Sequence, residues 1–236
     1  MTLIVSIGPG IDVVQQVDPT QPPASYGCVV GGLHSRPALI SHCGYQEGVA
    51  IALTPLGCRA VLGLPARALS HTSAEFADVA GPAGRELWHR LQGTIGWRGR
   101  FTACDEVLGR LVQPDVTTPP DLVHAWRRLL RSGGGTSIAA IADELGWTRQ
   151  HLTRRFSAEF GLGPKLAARI IRFTRSRRML ETTPPFVTLA QVAATCGYCD
   201  QAHLDRDFAE FAGCSPTAWM AAEQVPSVQD EAAVSA

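Results

Sequence analysis

IAAIADELGWTRQHLTRRFSAEFGLGP, residues Ile138–Pro164, returns in altered form as LAQVAATCGYCDQAHLDRDFAEFAGCSP, residues Leu189–Pro216. Gly146 answers Gly197 and Trp147 answers Tyr198. After one inserted residue, Leu152 answers Leu204, Arg154 answers Arg206, Phe156 answers Phe208, Gly161 answers Gly213 and Pro164 answers Pro216. In each copy an apolar-periodic segment stops at a glycine, a capping residue follows (Thr148 or Asp200), and a second periodic segment begins. That order predicts helix, tight turn, helix, the arrangement that places a second helix in the major groove of DNA.

The same logic extends to both sides of the repeats. Ser137 is a good cap for a helix through Leu145, and Thr148 for one to about Phe160, with Leu152, Phe156 and Phe160 facing inward at every fourth place. Pro164 is predicted to open a long helix to about Glu181, and Thr188 and Asp200 to cap the two helices after it. Upstream, Leu122, Ala125, Trp126, Leu129 and Leu130 form one apolar face on a helix over 121–131, ended by Gly133-Gly134-Gly135. The linking helix, at roughly 25 Å, combined with the width of the two repeats, approximately spans the ~34 Å between consecutive major grooves on one face of DNA.

The chain changes character at Thr117-Thr118-Pro119-Pro120, where tandem prolines favour extended backbone. Before this point 3–7, 13–17, 27–33, 38–41 and 49–53 read as short strands, and 56–64, 85–92 and 101–112 as helices. The expectation is an α+β chain: a small N-terminal sheet or partial barrel with packed helices, followed by an all-α double helix-turn-helix part. The expected divisions are a sensing or dimerising domain over 1–118 and a DNA-binding domain over 119–225. Within the latter, the first unit is 137–161, the linker helix 164–181 and the second unit 188–213. A flexible tail is expected over 226–236.

The 236 residues carry no formal net charge, which by itself argues against nucleic acid, but the charges are unevenly placed. Residues 127–178 hold twelve basic side chains against three acids, whereas 181–223 hold one arginine against six acids. The neutral total hides a basic block of the kind that nucleic acid requires. No apolar run approaches the length of a membrane span, and the N-terminus MTLIVSIGPG lacks a basic region of the signal-peptide type. Seven scattered cysteines are read as free thiols in a reducing cytoplasm.

A reading helix needs an apolar back, donors on its outward first turns, and phosphate contacts nearby. In the first copy Arg149, Gln150, Thr153 and Arg154 project away from Leu152 and Phe156. Arginine can pair bidentately with guanine, glutamine with adenine, and threonine can meet a base edge or a thymine methyl. Gln201, Ala202, Asp205 and Arg206 take the matching places in the second copy. There Asp205 and Asp207 would repel phosphates, although an aspartate can accept from cytosine N4. Lys165, Arg169, Arg172 and Arg175 are the candidates for phosphate contact, with Arg177 and Arg178 further along the same helix. The first copy and the linking helix are therefore expected to carry most of the affinity.

Glu144–Lys165 (ELGWTRQHLTRRFSAEFGLGPK) and Gly197–Trp219 (GYCDQAHLDRDFAEFAGCSPTAW) resemble the first and second helix-turn-helix signatures of the AraC/XylS family of transcription regulators. The likeness covers about residues 120–222 and includes the extra turn residue of the second copy, the proline ending each copy and the linking helix. It implies two reading helices in adjacent grooves of promoter DNA, with base-reading places at Gln150, Thr153, Arg154, Gln201, Ala202, Asp205 and Arg206. SIGPGI, the stretch Gly31–Leu69 and WRGRF resemble the N-terminal domains of one branch of that family. This implies a partial cupin-like domain that dimerises, binds a small-molecule effector, or both. An activator of this kind would also meet RNA polymerase. No enzyme activity, cofactor, metal or membrane partner is expected, and the location implied is cytoplasmic, on the nucleoid.

Two other functions compete with this one. A DNA-repair fusion would deliver a reactive cysteine to alkylated DNA and would need Cys28, Cys43, Cys58 and Cys104 to gather around zinc. An adaptor would use the acidic second copy for protein contacts. Cys196-Gly197-Tyr198-Cys199 has redox or zinc spacing but falls in the turn of the second copy and has no second pair to complete a finger. Cys28, Cys43, His34 and His42 lack the His-x-His spacing of a cupin metal centre, and no phosphate-binding loop, Rossmann fingerprint or nucleophile elbow occurs.

Overall fold

The structure is a computed structural model, and it describes residues 1–182 and 187–223. The expected tail over 226–236 lies outside the described residues. The N-terminal portion is an α+β assembly, as expected, with its strands in two antiparallel sheets. β1 (Thr2–Ser6), β2 (Ile11–Gln15), β3 (Ala24–Tyr26), β4 (Cys28–Gly31), β5 (Leu39–Ser41), β6 (Gly48–Ala52) and β7 (Ser73–Glu75) follow in chain order. One sheet has the order β6-β1-β4-β7 and the other β3-β2-β5. Leu3 sits opposite Val30 and Ile51, so alternate residues of the central strand meet apolar neighbours on both sides. Leu3, Val5, Cys28, Val30 and Val49 are buried.

Helices α1 (Pro55–Leu62), α2 (Phe76–Ala80), α3 (Pro82–Gly93) and α4 (Trp97–Leu111) follow, with a 3₁₀ turn over Ala66–Leu69 between α1 and β7. They bury Cys58, Leu69, Phe76, Leu87, Leu91, Cys104 and Val107. Four elements of this portion have no counterpart in the sequence pattern: β3, β7, the 3₁₀ turn and α2, each three to five residues long. Segments that short do not complete a periodic pattern, and their pairing partners fix them instead.

The remaining helices are α5 (Pro120–Arg131), α6 (Ile138–Glu144), α7 (Arg149–Phe160), α8 (Pro164–Thr182), α9 (Leu189–Thr195), α10 (Gln201–Phe211) and α11 (Pro216–Glu223). The capping residues act as their chemistry suggests. The side chains of Ser137, Thr148, Thr188 and Asp200 accept from the backbone N–H of Ala140, His151, Gln191 and His203. Thr188 and Gln191 complete a reciprocal capping box.

By compactness the chain divides inside α5 and α8. One unit comprises 1–128 with 137–166, and the other 129–136 with the described residues from 167 on. The first unit thus joins the N-terminal portion to α6 and α7. Within it Trp126 of α5 stacks on Phe156 of α7 and packs at a tilt against Phe160, ring centroids 5.7 and 4.8 Å apart. The second unit has its own core of Phe173, Val192, Ala193, Cys196, Tyr198, Leu204 and Phe208, onto which Met179, Leu180, Phe211 and Trp219 pack. Among the described residues no helix is long and apolar enough to cross a membrane.

Candidate nucleic-acid interface

Each helix-turn-helix is built by the same local devices. α6 ends at Gly146 with φ +66° and α9 at Gly197 with φ +81°, left-handed values at which a side chain would strain the turn. The turn aromatic then folds back: Trp147 packs edge-on against His151 and Tyr198 against His203, at 4.7 and 5.1 Å. The aromatic and histidine fix where α7 and α10 start. Leu152, Phe156 and Phe160 are buried behind α7, and Leu204 and Phe208 behind α10.

On α7 the four proposed readers Arg149, Gln150, Thr153 and Arg154 are all exposed, as is Arg155. Thr153 donates its hydroxyl to the carbonyl of Arg149 at 2.8 Å. Arg154 lies 3.4 Å from the His151 ring nitrogen and otherwise extends into solvent. The face carries positive charge with no acid between its members.

On α10 Gln201, Ala202 and Arg206 are exposed and Asp205 half-buried. Arg206 lies along its own helix, its Nε donating to the carbonyl of Ala202 at 3.1 Å. Asp207 departs from the sequence-based expectation. It is 1% exposed and accepts two hydrogen bonds from Arg169, at 3.1 and 2.7 Å, so it does not stand where it would repel phosphate. Its position three residues after Leu204 and next to Phe208 places it on the buried stripe, and that spacing was the available signal.

The phosphate candidates on α8 divide into two pairs. Lys165 and Arg175 are exposed. Arg169 is committed to Asp207 and Glu210 and lies 4.9 Å over the Phe211 ring; its hydrogen bonds to those carboxylates, Glu210 foremost, raise its pKa. Arg172 donates to the carbonyl of Gly134 at 2.8 Å and lies 5.7 Å from the Tyr198 ring centroid.

Two further groups are ordered around the first unit, and the sequence pattern did not single them out. Glu144 at the end of α6 accepts from Arg128 and His124, and the Arg128 guanidinium, then the imidazole, lowers its pKa from 4.5 to about 2. Glu159 interrupts the apolar stripe of α7 and is 6% exposed. Arg59 of α1 meets it with two hydrogen bonds, at 2.8 and 2.7 Å.

Four of the seven cysteines are buried. Burial pushes the Cys58 thiol up to about 11 and raises those of Cys28, Cys104 and Cys196. Among the described residues no three His, Cys, Asp or Glu side chains gather where they could hold a metal ion, so Cys28, Cys43, Cys58 and Cys104 do not cluster as a repair function needs.

Residues 141–222 match a family model described as a helix-turn-helix domain. The chain is 34% identical over 113 residues to the HTH-type transcriptional regulator Rv1931c of Mycobacterium tuberculosis, a match over 48% of this chain and 43% of that one. It is 28% identical over 193 residues to the HTH-type transcriptional regulator VirS of the same species, over 82% of this chain and 52% of the relative. The chain therefore spans about half the length of the curated relatives it matches. Among solved structures ToxT from Vibrio cholerae shares its fold, with a TM-score of 0.54 at 14% identity over 93% of this chain and 88% of that one.

Proposed function

We propose that this chain, a DNA-binding helix-turn-helix regulator of the AraC/XylS family, reads promoter DNA in two consecutive major grooves, α7 entering one and α10 the other. The observation that carries the reading is the solvent-facing set Arg149, Gln150, Thr153 and Arg154 on a helix anchored behind by Leu152 and Phe156. Arg149 and Arg154 suit guanine and Gln150 suits adenine. Gln201, Ala202, Asp205 and Arg206 form the weaker second reader. Lys165 and Arg175 hold phosphate, while Arg169 and Arg172 first serve the fold.

The portion 119–225 is the DNA-binding part on this reading, and 1–118 senses a small molecule, dimerises, or both. ToxT, which shares the fold, has been solved bound to an unsaturated fatty acid. That supports the effector half of the proposal in class and leaves the ligand of this chain to be found. The protein acts without catalysis in the cytoplasm, and contacts RNA polymerase where it activates.

Selection of bound sequences from random duplex DNA tests the reading. A recovered motif spanning about two helical turns, asymmetric within one monomer's footprint, is the expected result. Arg154→Ala should remove protection of one groove and Arg206→Ala weaken the other. A protein that enriches no motif, or one read within a single groove, would refute the two-groove reading.

A further inference from the structure

Behind α7, three contacts join the N-terminal portion to the C-terminal end of that helix. Arg59 grips Glu159 through two hydrogen bonds, in a pair whose side chains are 24% and 7% exposed. The Ser70 hydroxyl donates to the carbonyl of Gly161, the left-handed residue that ends α7, at 3.2 Å. Gly161 itself comes so close that an added Cβ would stand 2.5 Å from the Ser70 Cβ and 3.0 Å from the Arg67 Cα.

The strap 66–71, which makes the two contacts to Gly161, is also held by the loop after β4. A Cβ on Gly32 would stand 1.4 Å from the Leu69 carbonyl oxygen. The backbone N–H of His71 donates to the Leu33 carbonyl at 3.2 Å, and His71 takes a φ of +59° that non-glycine residues rarely adopt. Gly32 donates to the Thr72 carbonyl, which the His34 ring also meets. The loop after β4, the strap and the end of α7 are thus stacked in register, with no space for a side chain at Gly32 or Gly161.

We infer that Arg59 and the strap 66–71 form a clamp that positions α7 for DNA, making Arg59 a determinant of DNA affinity that lies outside the helix-turn-helix domain. The direction follows from which face is held. Glu159 lies on the buried side of α7 with Leu152, Phe156 and Phe160, whereas Arg149, Gln150, Thr153 and Arg154 stay exposed. A contact on the back of a reading helix leaves the bases accessible and restricts the helix's tilt. Orientation held before binding need not be acquired at the cost of affinity. Arg59 is a positioning residue, acting through Glu159.

The inference rests on the regulator reading, and one experiment separates the two. The full chain and its Arg59→Ala, Arg59→Lys and Glu159→Gln variants are titrated against the duplex selected by the wild type, with hydroxyl-radical footprints and thermal melts in parallel. Arg154→Ala serves as the reading control. Arg59→Ala and Glu159→Gln should weaken binding about tenfold and loosen protection in the groove that Arg154→Ala exposes, leaving the other groove unchanged. Arg59→Lys keeps the charge without the fork and should fall between. If Arg59→Ala does not fold, the double variant Arg59→Glu with Glu159→Arg restores the pair in reverse and should recover affinity. A lowered melting temperature with unchanged affinity and footprint in the folded variants would reduce the pair to a structural one. Tighter binding would make it an inhibitory contact. Either result overturns the clamp. No binding by the wild type to any selected duplex would instead overturn the regulator reading.

Discussion

Asp207 takes two hydrogen bonds from Arg169, and the pair converts what looks like an acid on a reading helix into an internal tie between α10 and α8. Arg169 also reaches Glu210 at 2.5 Å, so one guanidinium serves two turns of α10. Removing the buried partner costs Arg169 two charge-assisted hydrogen bonds and leaves it with Glu210 alone. Asp207→Ala should therefore destabilise the second unit by about 1.5–3 kcal/mol, measured by urea denaturation. Asp205→Ala, on the half-buried neighbour, should change stability little. The opposite ranking would mean that Asp207 is not the acid holding α10 in place.

Arg154 and Lys165 should fail in different ways. Arg154 faces outward from the second turn of α7, so Arg154→Ala should cost about 1–3 kcal/mol of DNA affinity and relax preference at one base pair. Lys165, at the start of α8, has no base within its proposed reach. Lys165→Ala should weaken all duplexes similarly and reduce the slope of log affinity against log salt by about one. Anisotropy titrations on matched and mismatched duplexes across a salt series distinguish the two. Equal loss on every sequence for Arg154→Ala would remove it from the readers.

The repeat was legible because each of its devices is local. A glycine stop, a capping side chain and an apolar residue at every fourth position are written within ten residues of one another, and Thr148, Thr188, Gly146 and Gly197 behave accordingly. The partners of buried charges were not legible in the same way. Glu159 stands 100 residues from Arg59 and Asp207 stands 38 from Arg169. Only the odd position of each acid on an apolar stripe hinted at an internal partner. Of the phosphate candidates, Arg169 and Arg172 were indistinguishable in sequence from Lys165 and Arg175, because helix spacing does not say which arginine has a carboxylate or carbonyl waiting across the core.

Glu144 makes the first unit's stability depend on acid. Its folded pKa of about 2 lies below the ordinary 4.5, held there chiefly by Arg128 and then by His124. A depressed carboxylate contributes stability that is fully present above its unfolded pKa and is lost as pH falls through the folded value. The melting temperature of wild type should therefore exceed that of Glu144→Gln at pH 7, with the difference shrinking between about pH 5 and pH 2. The pair is exposed, so the difference should also shrink with added salt. A gap that widens on acidification would place the stabilising charge elsewhere.

Trp126 tests whether the helix-turn-helix region needs what precedes it. The family match begins at residue 141, yet the core behind α7 is completed by α5, fifteen residues earlier. Trp126 is 6% exposed and contacts both Phe156 and Phe160, which themselves lie 4.5 Å apart. Truncating the indole leaves a cavity against both aromatic rings. Trp126→Ala should cost about 3–5 kcal/mol, while Trp126→Phe retains a ring and should cost less. Denaturant titrations give both values. Because the same rings fix the back of α7, the proposed reading helix, affinity for the selected duplex should fall in the same order, Ala more than Phe. Full stability in Trp126→Ala would mean that α7 is anchored without α5.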